Sequence, residues 1–212
     1  MGSKISNRMN LKKVGVIDYG LGNLGSVVNA LKFLNCEVEI LKTPSRNNHD
    51  HLVLPGVGSF KKGMQELTKR SWDTALKEYA EKDTKILGIC LGMQLLFSSG
   101  EEDGNTKGLN FFEGHCSKLK NSKNYPIPHI GFNSVFHDGS NIWNKINENC
   151  SLYFVHSFAV KDTKNDYKQA KTEYGGEKFI SYIEKKNIYG AQFHPEKSHY
   201  TGLKFLKNFI EI

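Results

Sequence analysis

A cysteine becomes a nucleophile when its surroundings favour the thiolate and a base stands within reach, and Cys90 lies where both can be arranged. It sits in the run GICLG, directly after the apolar stretch from Lys85 to Ile89, with Gly88 and Gly92 two residues to either side. Flanking glycines let a nucleophile occupy a sharp strand-to-helix elbow. From Leu91 onward the pattern is helical, and a helix amino terminus favours thiolate over thiol. Free cysteines in folded proteins are often only small buried hydrophobes, so the elbow alone does not make a site. The segment QFHPE, Gln192 to Glu196, supplies the missing partners: His194 as a base and Glu196 as a carboxylate to orient it. Alternate residues of extended chain point the same way, and Pro195 favours extension. One imidazole nitrogen would then meet Glu196 while the other faces a thiol brought in from elsewhere.

Other residue patterns point to chemistry less strongly. GLGNLG, Gly20 to Gly25, formally satisfies the dinucleotide-binding fingerprint between a strand and a helix, and Glu37 and Glu39 lie near where a ribose-binding acid would be wanted. Nothing else in the chain resembles hydride chemistry. His49, His51, His115, His129, His137 and His199 show no HExxH or comparable ligand spacing, so no metal is expected. Cys36, Cys90, Cys116 and Cys150 form no CxxC pair, which fits a reducing compartment. The charge of +7, from 29 basic and 22 acidic residues, comes from scattered lysines rather than one stripe, so nucleic acid is not an expected partner. No apolar run is long enough for a signal peptide or membrane span, and a cytoplasmic protein is expected.

The elements that must hold these residues follow from periodicity. Val14 to Ile17, Glu37 to Leu41, His51 to Leu54 and Lys85 to Ile89 read as strands. Leu24 to Leu34, Lys61 to Thr68 and Trp72 to Lys82 read as helices, and the breaker PGVG follows at Pro55 to Gly58. This alternation predicts an α/β fold with a mostly parallel central sheet flanked by helices, and reactive side chains at the carboxyl ends of its strands. Beyond Phe97 a polar, glycine-containing stretch runs from Ser98 to Gly108. Strands are then expected at His115 to Leu119, His129 to Val135, Leu152 to Val155, Tyr167 to Thr172, Phe179 to Ile183 and Ile188 to Phe193, before a closing helix at Leu203 to Ile210. The second half therefore adds an antiparallel or mixed β portion. Residues 11–212 are expected to form a single domain, with residues 1–10 a frayed extension.

LPGVG, GICLGMQLL and QFHPEKS, in this order, resemble the class I, triad-type glutamine amidotransferases, whose fold is flavodoxin-like. DYGLGN, PHIGFN and YFVHSF are similar to segments of the glutaminase subunits of imidazole glycerol phosphate synthases, and the resemblance runs from about Val14 to Ile210. It implies a Cys90, His194 and Glu196 triad acting on L-glutamine, with no cofactor. It implies an oxyanion hole from the Leu91 backbone and the Val57–Gly58 peptide, and glutamine held by Gly56, Gln94, Glu102, His156 and Ser157. It also implies a barrel-shaped cyclase subunit as heterodimer partner, met by Asn23, Phe132 and Tyr153. That family generally carries tryptophan where this chain has Phe132, which leaves room for a paralogue serving a synthase that amidates a nucleotide-linked sugar.

Overall fold

Strand β1 (Lys13–Ile17) is buried after its first residue, and helix α1 (Leu24–Phe33) turns Val27, Val28, Ala30 and Leu31 inward at helical spacing. The pattern continues through β2 (Glu37–Leu41), β3 (His51–Gly56), α2 (Phe60–Lys69), α3 (Trp72–Glu81), β4 (Lys85–Cys90) and the short α4 (Leu91–Leu95). Strands then dominate: β5 (Phe97–Gly100), β6 (Thr106–Lys107), β7 (Phe112–Lys118), β8 (His129–Phe136), β9 (Asn149–His156), β10 (Phe158–Val160), β11 (Lys168–Tyr174), β12 (Glu177–Lys185) and β13 (Ile188–Ala191). Helix α5 (His199–Glu211) closes the chain, and Pro195–Lys197 forms a 3-10 turn just before it. The computed structural model describes residues 11–45, 49–163 and 167–212, so the expected extension at 1–10 lies outside the described residues.

A nine-stranded sheet runs in the order β2-β1-β3-β4-β13-β12-β11-β8-β9. Its first five strands are mutually parallel and the rest pair antiparallel. The antiparallel portion is thus an extension of the same sheet, joined where β13 returns to lie beside β4. A four-stranded sheet, β10-β7-β5-β6, packs against it.

Successive residues of a strand face opposite sides, and the core divides accordingly. Val53 belongs with Leu31, Phe205 and Phe209, beneath α1 and α5. Its neighbours Leu52 and Leu54 belong with Phe60, Leu67 and Trp72 of α2 and α3, and with Phe97 and Phe112 of the small sheet.

Four expectations need correction. The polar stretch from Ser98 to Gly108 contains the rest of β5 and all of β6, because β5 pairs with both β7 and β6 despite a weak strand sequence. Strand β10 was not anticipated. The strand expected to reach Phe193 ends at Ala191, and α5 begins at His199 rather than Leu203.

Candidate active site

The carboxyl ends of three neighbouring parallel strands meet at one place. Gly56, the last residue of β3, is the register partner of Cys90, the last residue of β4, and Ala191 of β13 pairs with Ile89. Cys90 has φ 54° and ψ −112°, a left-handed conformation that costs a non-glycine residue on the order of 1–3 kcal/mol. Both flanking glycines are required by close approach. A Cβ on Gly92 would stand 1.8 Å from the Leu54 carbonyl oxygen, and one on Gly88 would stand 2.6 Å from the Gly92 oxygen. The expected elbow is therefore present. Helix α4 has only five residues, so the free N–H groups of its first turn, rather than a long macrodipole, are what it offers the sulfur.

His194 and Glu196 reach the same place from the segment after β13. His194 Nδ1 lies 2.8 Å from Glu196 Oε1, and both side chains are buried. The expected extension holds for His194, at φ −99° and ψ 94°, but Pro195–Lys197 is a 3-10 turn, with proline at a favoured first helical position. Ser198 secures this segment: its hydroxyl donates to the His194 carbonyl at 2.7 Å and accepts the Tyr153 N–H at 2.9 Å. Burial disfavours the imidazolium, yet Cys90 and Glu196 together outweigh it and hold the His194 pKa well above its ordinary value. The imidazole stands beside the thiol, which helps hold its pKa up, and Nε2 has no well-aligned hydrogen bond to any other group.

The sulfur has two further polar neighbours. Its S–H donates to the Val155 carbonyl at 3.8 Å, and Gln192 Nε2 donates to it at 3.7 Å. Tyr19, buried and with no hydrogen-bond partner on its hydroxyl, lies against Gly56 on the other side. Gln192 and Tyr19 were assigned no chemical role from the sequence. Their positions depend on contacts between distant segments, although Gln192 stands within the QFHPE motif. Burial pushes the thiols of Cys36, Cys116 and Cys150 up, Cys150 to about 11.

A cavity of 240 Å³ opens beside Cys90, a size suited to a ligand no larger than an amino acid. Leu91, Val57, Gly58, Gln94 and Glu102 line it together with the segment 155–158. Glu102 Oε2 accepts the Phe60 N–H at 3.1 Å, and burial pushes its carboxyl up despite that bond. Gln94 Nε2 donates to the Phe158 carbonyl at 2.8 Å and to Gln192 Oε1 at 3.0 Å. His156 has both ring nitrogens engaged within the protein, by His129 Nδ1 at 3.1 Å and the Phe158 carbonyl at 2.9 Å. It therefore presents its backbone rather than a free imidazole nitrogen to a ligand. Ser157 lines the cavity beside it. Gly56 lies against Tyr19 and Gly92, where a Cβ would stand 2.3 Å from the tyrosine oxygen. Val57 is 43% exposed, and Gly58 has φ +112° with only Leu21 within 4 Å of a virtual Cβ.

Asn23 is the N-cap of α1 and makes no side-chain capping bond. Phe132 of β8 and Tyr153 of β9 are register partners whose rings lie 5.5 Å apart, and Phe132 also stacks on His199 at 5.2 Å. Ile130, Phe132 and Phe136 alternate along β8 and are exposed, forming an apolar stripe. In the fingerprint region Glu37 pairs with Lys13 at 3.7 Å and Glu39 with His49 at 3.0 Å, so both acids have partners within the protein. Among the described residues no group of three or more His, Cys, Asp or Glu could hold a metal ion. Among them, too, no helix is long and apolar enough to cross a membrane.

A cysteine at a glycine-flanked elbow, with a histidine and carboxylate at the end of the adjacent strand, is an arrangement suited to nucleophilic catalysis on a parallel sheet. The sequence profile of the glutamine amidotransferase class-I family matches residues 15–212, and the chain belongs to that family. It is 43% identical over 201 residues to imidazole glycerol phosphate synthase subunit HisH of Caldanaerobacter subterraneus subsp. tengcongensis, covering 94% of this chain and 98% of the relative. It is 42% identical over 204 residues to subunit HisH of Bacillus mycoides, covering 92% and 93%. Among solved structures, PurLQS from Thermotoga maritima superposes with a TM-score of 0.71 at 17% identity, covering 95% of this chain and 98% of that one, a likeness of fold.

Proposed function

We propose that this chain is the glutaminase subunit of an imidazole glycerol phosphate synthase. In this reading it hydrolyses L-glutamine to L-glutamate and ammonia and passes the ammonia to a synthase partner in histidine biosynthesis. The observation that carries the reading is the meeting of Cys90 with a buried His194–Glu196 pair across adjacent strand ends. Relatives bearing the synthase-subunit name, matched over nearly the whole chain, support the pathway and do not favour the sugar-amidating paralogue.

The Cys90 thiolate attacks the side-chain amide carbon, and the oxyanion forms where the Leu91 N–H and an N–H of the Val57–Gly58 peptide can reach it. His194 gives its proton to the departing nitrogen, so ammonia leaves and a glutamyl thioester remains. Water, deprotonated by His194, then releases glutamate and regenerates the thiolate. Glu196 orients the imidazole and stabilises its charged form. Gln94, Glu102, Ser157 and the backbone at Gly56 and His156 hold the amino-acid end. None of these steps calls on a cofactor.

The partner in this reading is a barrel-shaped cyclase subunit, docked on the surface around Asn23, Phe132 and Tyr153 and yielding imidazole glycerol phosphate and an aminoimidazole carboxamide ribotide. Direct transfer has a physical motive, since ammonia released into neutral water is mostly protonated and loses its nucleophilicity. Docking turns the Val57–Gly58 peptide inward, so the isolated chain is nearly silent. The complex is cytoplasmic. The test is glutamate release from glutamine by this chain with and without a cyclase subunit and its nucleotide ligand, with Cys90→Ser as control. Cys90-dependent release confined to the full mixture supports the reading. No stimulation by the cyclase overturns its partner.

A further inference from the structure

Hydrogen-bond direction along the buried network fixes which atom of Gln192 faces the nucleophile. The Phe158 carbonyl can only accept, so the Gln94 amide atom 2.8 Å from it is nitrogen. That nitrogen also faces the Gln192 side chain at 3.0 Å, which must therefore present its oxygen there. The remaining Gln192 atom, Nε2, is left as a donor aimed at Cys90 Sγ at 3.7 Å. Gln192 has no exposed surface, so both contacts are made in the protein interior.

His156 donates Nδ1–H to the same Phe158 oxygen, which leaves its Nε2 to accept from His129 Nδ1. His129 Nε2 in turn accepts from Asn133 Nδ2, whose other hydrogen reaches the Glu173 carbonyl at 2.9 Å. Each donor in the chain meets a compatible acceptor, and the Phe158 and Glu173 carbonyls pin it. The amide facing the sulfur is consequently held against flipping.

We propose that Gln192 is a further catalytic residue of the glutaminase site, donating its amide N–H to the Cys90 sulfur and stabilising the thiolate, with Gln94 as the residue that positions it. The inference rests on Cys90 being the nucleophile. The two polar contacts of the sulfur respond oppositely to ionisation. A thiol donates to the Val155 carbonyl, and a thiolate cannot, whereas an N–H donor binds a thiolate more strongly than a thiol. Gln192 therefore favours the reactive form. Gln192 donates to the sulfur from a fully buried, fixed amide, alongside the His194 imidazole. The titratable groups around the thiol are His194 with Glu196 behind it, Tyr19 from the loop after β1, Cys116 of β7, and Glu102 and His156, which line the cavity beside it.

The test is the pH dependence of Cys90 alkylation by iodoacetamide in the full chain, located by mass spectrometry, with Cys90→Ser as the blank. It needs neither glutamine nor a partner, so it can fail independently of the proposed pathway. Gln192→Met, which keeps the length and removes the donor, is expected to raise the inflection by about one pH unit, roughly a tenfold lower rate well below it. Gln192→Glu keeps the shape and brings a carboxylate to the sulfur, so its inflection should rise further. Gln94→Leu, which frees the Gln192 amide, should give a smaller rise. A purely structural role would lower the melting temperature and leave the inflection where it was. Folded Gln192→Met and Gln192→Glu proteins whose profiles superimpose on the parent overturn the proposal. If the methionine variant does not fold, the glutamate variant decides alone by the same criterion.

Discussion

His194 Nδ1 lies 2.8 Å from Glu196 Oε1, with the two side chains only 4% and 1% exposed. Glu196 Oε2 has no hydrogen-bond partner, so the carboxylate's role is concentrated on the imidazole. Glu196→Gln keeps the shape but removes the charge, and kcat of the assembled enzyme should fall roughly 10³–10⁴-fold. The sign of the pH effect follows from the same pair. Glu196 helps hold the His194 pKa up, so its loss lowers that pKa and the alkaline limb of the kcat/KM profile should move to lower pH. An unmoved limb would show that Glu196 does not set the imidazole's charge.

Two glycines beside the cysteine should respond differently to alanine. At Gly92 the added Cβ meets a backbone oxygen at 1.8 Å, which no side-chain rotation relieves. Gly92→Ala should lose about 3 kcal/mol or more of stability, measured by urea unfolding. At Gly58 the added Cβ meets nothing closer than 4.0 Å, and only the φ of +112° resists it. Gly58→Ala should stay folded while kcat falls, because the loop loses freedom to turn its peptide. Equal stability losses in the two proteins would contradict this account.

The contrast shows what the sequence can carry. GICLG and QFHPE announce the elbow and the base because local chain geometry suffices to place them. Strands β1, β3 and β4 are legible for the same reason, each run of apolar residues being followed by a helix, and β2 from the alternation of Glu37 to Leu41. That β13 slots beside β4 is a pairing across about a hundred residues, and no periodicity encodes it. Strands β5 and β6 are hidden because Ser98, Ser99 and Gly100 are weak strand formers stabilised by their neighbours. Gln192 was in plain view within its motif, yet its role depends on which of its amide atoms Gln94 engages. The inward turn of the His156 imidazole is likewise decided by His129, 27 residues away.

Phe132 tests the docking surface. It is 48% exposed, stacked on His199 and beside Tyr153, within an apolar stripe that continues to Ile130 and Phe136. Such anchors at an interface centre are commonly worth about 2 kcal/mol or more. Phe132→Ala should melt close to the parent and raise the concentration of cyclase subunit needed for half-maximal stimulation by at least about tenfold. An unchanged titration would move the docking surface elsewhere.

Buried histidines should make the fold acid-sensitive well above the carboxylate range. Burial lowers the pKa of His51 to about 4, with Lys85 and Lys12 adding to it; burial also lowers His129 to about 4 and His156 to about 3. Their unfolded values are about 6.5. Between those limits the unfolded chain binds more protons than the folded one, so stability rises with pH there and is lost as pH falls. Above pH 6.5 the three contribute no slope, and below their folded values the loss is complete. His194 has the opposite sign: its raised pKa gives stability that is complete below about 6.5 and fades as pH rises toward its folded value. At pH 5 each buried neutral histidine should cost on the order of 1–2 kcal/mol relative to pH 7. His51 is the cleanest probe, because it packs edge-on against Phe209 at 5.0 Å, on the strand leading to the site but away from the cysteine. His51→Phe should therefore flatten the decline of the urea midpoint between pH 7 and pH 5, whatever it does to the midpoint at pH 7. A parent protein with no decline over that range, or a variant that declines as steeply, would show that these imidazoles are not held neutral by the fold.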